Sequence, residues 1–440
     1  MKKGKIVIIV LGVILCFLLA AGTYVYFFVP VSLGGQYAQG LEALPADTLL
    51  TADQVAADRD YAIQFVEDVH PYFVLEEDQS AYEKARQNYI DATSAAMSVG
   101  DFQAATGEYL CAFGDGHTRI RWNEEEYIPL EQVYRDGNNY RVVDGEVTDI
   151  RITAIGGVDM EAVYAAIDCI FPAENDMAVA VNRNNRIVGR NILELAGVDI
   201  IDDSVKVDFS DGSTEIYPFC PPEESSEDSW EAVSNSWHME EGIFVVDFIE
   251  CVDDENLRAI ATELENAVKQ GCNKVIIDAR GNGGGNSNAC ERLLHAMGME
   301  APQYSMVIRY STEAKEQLGY LRKSGSFRWE GSSKNAKTNE AVNLVVLCDR
   351  YTFSSATMLC VFVRDGHLGT IIGEPSSNMP SCYGDILYLS LPESHVFASV
   401  SHKQFIRPDA DNTERMLVPD IQADAEEAYE EAVAFLNEKD

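Results

Sequence analysis

Apolar and polar positions alternate in four different rhythms along the chain, and each rhythm predicts a different kind of unit. Between Ile6 and Val29 lie 24 residues without a charge, preceded by Lys2, Lys3 and Lys5. As a helix rising 1.5 Å per residue, such a run covers a hydrocarbon core of about 30 Å, and the lysines favour a cytoplasmic N-terminus. The expectation is a signal-anchor helix over 1–30, passing once through the cell membrane with the rest of the chain extracellular. A cleaved signal peptide competes less well, because its apolar stretch is normally shorter and ends in polar residues. Residues 31–57 lack periodicity and read as a stalk. Over 58–121 the spacing is helical: Ala62, Phe65, Val66 and Val69 share a face, a second run extends from Ser80 to Met97, and a third from Phe102 to Leu110 stops at Gly114 and Gly116.

Over 122–236 the period changes to two. Tyr140–Val143, Arg151–Ile155, Val205–Phe209 and Thr214–Tyr217 read as strands, with a turn at Asp211 and Gly212. A small antiparallel module is expected, decorated by short helices near Met160–Ile167 and Arg190–Ala196. The acidic stretch Pro221–Trp230 reads as a linker. Over 237–440 buried strands alternate with amphipathic helices. Strands are expected at 243–249, 274–278, 304–310, 344–348 and 369–372, and helices after Asp253, over 288–297 and over 354–364. That order describes a layered α/β domain with a largely parallel sheet.

Composition narrows the function classes. At 440 residues the chain exceeds the usual single core, and 46% apolar with 24% charged residues describes a folded protein. Its 33 basic against 72 acidic residues, a net charge of -39, repel phosphate backbones, so nucleic acid is excluded as a partner. Ten cysteines are scattered without a C-x-x-C pair, which predicts mostly free thiols. Cys/His spacing suggests no metal site, and no cofactor is implied.

Two loops leaving the carboxyl ends of expected strands carry the chemistry. The first, Asp278 to Ser287, contains Gly281, Gly283, Gly284 and Gly285, so its main-chain N–H groups can approach developing negative charge. It matches neither a Walker loop nor a dinucleotide loop. The second, Asp349 to Thr357, puts Ser354 on a tight strand-to-helix turn, where a serine stands exposed above the sheet unless it merely caps the helix.

Taken in order, Gly242–Asp247, Lys274–Asn286, Leu344–Pro375 with Gly373, Glu374 and Pro375, and Leu417–Ile421 with Pro419 and Asp420 resemble one serine peptidase family. It is the family of the C-terminal processing (tail-specific) proteases and the tricorn core protease. Gly114, Asp115, Gly116, His117 and Thr118 extend the resemblance. It implies a ClpP/crotonase-like α/β catalytic core over 237–440, a helical N-terminal cap and a β-rich, PDZ-like insert, with an extension lacking peptide affinity as the alternative for the insert. It further implies Ser354 as nucleophile and the N–H groups of Gly284 and Ser355 as oxyanion hole. No lysine occurs between Gly373 and Leu391, where the processing proteases carry their base. The tricorn-like branch is therefore the better match, with His117 as general base. For the group that orients the imidazole, the branch implies Glu414, and Asp115 and Asp385 compete with it.

The expected function is a membrane-anchored, extracytoplasmic serine endopeptidase acting on peptides or proteins, with a homo-oligomer left open. The alternative is a catalytically inactive protein on the same fold that binds a peptide or an apolar small molecule.

Overall fold

The computed structural model describes residues 2–221 and 234–438. The stretch 222–230, expected as part of a linker, lies outside them. The central sheet has six strands in the order 236–240, 243–247, 274–278, 343–348, 370–373 and 421–422, the first pair antiparallel and the rest parallel. Its inner strands form because they are buried on both faces, which favours unbroken runs such as Ile243–Val246 and Val275–Ile277. Side chains alternate between two cores. Phe244, Val246, Val275, Ile277, Leu344 and Val346 pack with the helices Glu255–Lys269, Ser287–Ala296 and Ser355–Asp365. Ile243, Val245, Ile276, Val345 and Leu347 face the helix Ala428–Asn437.

The expected strand 304–310 exists as Ser305–Arg309 but does not join this sheet. It pairs antiparallel with Ser326–Trp329 and Phe397–Ile406, and Phe397–Ile406 pairs with Cys382–Ser390 to form a long hairpin. The first helix of the core is capped by Asp254, which accepts from Leu257 N at 2.8 Å. Its neighbour Asp253 pairs with Arg292 and Arg258.

Upstream, helices Ala52–Val69, Ser80–Ala92 and Val99–Cys111 share a core through Val66, Tyr89, Phe102 and Leu110. Residues 32–42 lie against the body of the protein, Leu33 N donating to Gly319 O and His395 Nδ1 meeting Glu42 O. Between 132 and 218 strands run antiparallel in the order 132–135, 138–143, 146–155, 204–209 and 214–218, with helices Met160–Ile170, Asp176–Arg186 and Arg190–Leu195 alongside. All ten cysteines are free.

The single-pass membrane anchor, and the extracellular localisation that depended on it, require correction. Among the described residues no helix is long and apolar enough to cross a membrane. A helix does run over Lys2–Phe28.

Candidate active site

Strands 274–278 and 343–348 are neighbours, with Asp278 opposite Leu347, so the loops leaving their carboxyl ends lie side by side. Asp349 ties them together, accepting from Gly281 N at 3.0 Å, Tyr351 N at 3.0 Å and Thr352 N at 2.9 Å. Its carboxylate accepts from these main-chain N–H groups, while Arg280 and Asp278 form an ion pair.

Ser354 sits on the turn with φ of 53° and ψ of −123°, a conformation costly for any side chain with a Cβ, and its hydroxyl does not cap the following helix. The turn is held by Asn378, whose Oδ1 accepts from Ser354 N at 2.9 Å. Gly284 packs directly against it. A Cβ there would lie 2.6 Å from Ser354 Cβ and 3.0 Å from Ser355 N, so only glycine fits. Ser355 opens helix 355–365, where its N–H has no intrahelical acceptor. The Gly284 N–H, by contrast, is engaged with Asn282 Oδ1 at 2.9 Å.

The histidine loop arrives from the other half of the molecule. Strand Arg119–Ile120 pairs with 397–406, Ser401 N donates to Thr118 Oγ1 at 3.0 Å, and Ser399 Oγ donates to His117 O at 2.6 Å. These contacts set the His117 ring 4.6 Å from the ring of Phe353, the residue preceding Ser354. Nδ1 lies 3.7 Å from Asp115 Oδ1, and a Cβ on Gly384 would lie 3.7 Å from Nε2. Both ring nitrogens are buried without a hydrogen-bond partner, so the imidazole does not bond to Ser354 in this arrangement.

Asp115 accepts from His117 N at 2.9 Å and meets His70 Nε2 at 3.3 Å, both His70 and Asp115 being fully buried. Burial opposes its ionisation, but the His117 and His70 side chains beside it prevail and hold the carboxyl well below its ordinary value. Glu174 behaves in the opposite way. Burial raises its carboxyl above the ordinary value, and His117 counteracts that only in part.

Glu174 links the two segments. Its Oε1 accepts from Gly116 N at 2.9 Å, and its Oε2 accepts from Asn378 Nδ2 at 2.6 Å and Met379 N at 2.7 Å. One carboxylate thus joins the histidine loop to the residue that holds Ser354. Beside this bridge is a cavity of about 190 Å³ lined by Gly116, Arg119, Glu174, Gly283, Tyr351 and Phe353 among others.

Of the residues singled out from sequence, Ser354, Ser355, Gly284, His117 and Asp115 converge. Glu414 does not join them: its side chain is 61% exposed and meets Asn412 Nδ2 at 3.3 Å and Arg407 at 4.0 Å. Asp385 is paired with Lys403. Glu174, Asn378 and His70 were missed as site residues. Asn378 stands in the stretch after Gly373, Glu374 and Pro375 that drew notice only for lacking a lysine, whereas nothing around Glu174 marks it.

An α/β core with a strained serine beside a glycine loop fits a serine-type peptidase. Residues 243–423 match the family model described as Peptidase family S41, and the chain is a serine-type peptidase similar to that family over this stretch. No curated protein matches the chain. Among solved structures, mature CPAF is 12% identical over 87% of this chain and 96% of its own, with a TM-score of 0.57. Mature CPAF complexed with lactacystin is 12% identical over 88% of this chain and 97% of its own, with a TM-score of 0.56. The photosystem II D1 C-terminal processing protease is 15% identical over 86% and 94%, with a TM-score of 0.44. The likeness to CPAF is one of fold.

Proposed function

We propose that the chain is an endopeptidase that cuts peptide bonds through an acyl-enzyme on Ser354, with His117 as general base and Asp115 orienting the imidazole. Imidazole titrates near neutrality, so it can take the serine proton and return it to the leaving amine, without the lysine used in the processing proteases. The ring packs on Phe353, and the proposed proton transfer asks it to turn about its side-chain bonds toward Ser354. The Ser355 N–H serves as the first oxyanion donor. Gly284 serves as the second once its bond to Asn282 opens.

The observation that carries this reading is the bridge through Glu174 and Asn378, which ties the histidine loop to the serine turn across a long stretch of chain. In the proposed organisation, 58–121 is a helical cap, 122–236 a PDZ-like unit and 237–440 the catalytic core. Strand 214–218 ends one side of the antiparallel sheet and carries an exposed Ile216, a surface suited to adding a substrate strand. The cavity beside Phe353 takes a substrate side chain.

The test is incubation with denatured casein, followed by mass spectrometry of the fragments. The wild-type chain is expected to release peptides that Ser354→Ala and His117→Ala do not. Cleavage persisting in Ser354→Ala overturns the assignment of the nucleophile.

A further inference from the structure

Asp115, His117 and Glu174 each offer a ligand atom, and these atoms lie within 4.8 Å of one another. A cluster of buried acids alone needs no ion, but here a second observation points to one. The His117 side chain is nine-tenths buried, and both its ring nitrogens lack a partner. Its Nδ1 is already 3.7 Å from Asp115 Oδ1. Around a tetrahedral zinc ion with bonds near 2.0–2.2 Å, ligand atoms stand about 3.3 Å apart, so closure asks for shifts of roughly 1 Å that side-chain rotation supplies.

Charge argues the same way. Two buried carboxylates face one guanidinium, Arg119, whose charge reaches both. One guanidinium against two carboxylates leaves negative charge over, which attracts a cation. Each carboxylate oxygen that accepts one hydrogen bond keeps a lone pair for a metal. Outer partners are already in place, His70 on Asp115, and Gly116, Asn378 and Met379 on Glu174.

We propose that Asp115, His117 and Glu174 form a binding site for zinc(II), with one imidazole nitrogen, two carboxylate oxygens and a water as ligands. The neutral imidazole gives its lone pair to the metal, and no electron is transferred. The consequence for activity rests on the peptidase reading: a histidine holding zinc cannot take the proton of Ser354, so the ion is an inhibitor, not a cofactor. Spacing in the sequence concealed the site, because Glu174 follows His117 by 57 residues.

The test uses the full chain, first stripped with EDTA. Isothermal titration with zinc chloride is expected to show one site per chain that His117→Ala lacks. Exposed pairs such as His295 with Glu300 account for weaker binding common to both proteins. Cobalt(II) in place of zinc is expected to give the visible absorption of a four-coordinate site, absent in His117→Ala. Glu174→Gln should weaken binding by about tenfold or more. His117→Ala removes a buried ring that packs on Phe353 and should unfold at a lower urea concentration, so His117→Gln, which keeps most of the volume, is the second variant, and loss of metal from a chain still folded reports a lost ligand. No stoichiometric zinc binding, or binding equal in His117→Ala, overturns the site. Zinc should also slow fluorophosphonate labelling of Ser354, with EDTA restoring it. Binding that leaves labelling unchanged supports the site and counts against His117 as base.

Discussion

Removing the Glu174 carboxylate should damage stability and reactivity together, because one side chain serves both halves of the site. In Glu174→Ala three donors lose their acceptor: Gly116 N, Asn378 Nδ2 and Met379 N, at 2.9, 2.6 and 2.7 Å. Hydrogen bonds to a charged group contribute about 1.5–3 kcal/mol each, which would sum to roughly 5–9 kcal/mol. The net loss is smaller. Burial raises the carboxyl above its ordinary value, so ionising Glu174 there is itself costly, and the substitution relieves that cost. We expect a loss of about 3–5 kcal/mol, the range for breaking a buried charged network by deleting one partner. With Asn378 no longer held, the Ser354 turn relaxes, and a displacement near 1 Å is worth about 100-fold in rate. Urea unfolding followed by tryptophan fluorescence reads the first effect, and the rate of fluorophosphonate labelling in native buffer reads the second. Glu414→Ala is the control, expected within about 0.5 kcal/mol of wild type because Glu414 is exposed. If Glu174→Ala unfolds and labels like Glu414→Ala, the bridge does not hold the site together.

Gly284→Ala places a Cβ 2.6 Å from Ser354 Cβ at a φ of 99°, so labelling of Ser354 should fall at least about 100-fold even in folded protein. Arg407 and Asp365 form an ion pair with both side chains 1% exposed. Arg407→Ala should therefore cost about 3–5 kcal/mol in urea unfolding by leaving Asp365 buried without its partner, while Arg407→Met leaves the same charge unpaired and costs less only by filling the cavity. Burial lowers His402 to about 4. Its folded value lies below the unfolded one of about 6.5, so protonation favours unfolding: its contribution is complete above pH 6.5 and is lost as pH falls toward 4, up to about 3 kcal/mol. Unfolding midpoints across that range should drop more steeply in wild type than in His402→Gln.

Much of the core was legible because its physics is local. Strands 243–247, 274–278 and 343–348 are buried on both faces and read as unbroken apolar runs. Ser354 and the glycine loop were legible because a strand-to-helix turn and a close backbone approach restrict residue type. Long-range pairing hid the rest. The hairpin 382–406 carries Ser, Tyr, His and Lys among its apolar residues, a weak strand signal, and it captures 305–309 from the expected parallel sheet. Glu174 gains its place only through partners 58, 204 and 205 residues away. The N-terminal run shows the reverse failure, since an uncharged stretch that suggested a membrane span is not matched by a spanning helix among the described residues.

The central claim is that Ser354 is made nucleophilic by His117, and mass spectrometry of the fluorophosphonate adduct tests it most directly. The account predicts a single adduct on Ser354 in the wild-type chain and none at that serine in His117→Ala, with both proteins folded under the labelling conditions. An adduct on another serine, or equal modification of Ser354 in His117→Ala, would contradict it.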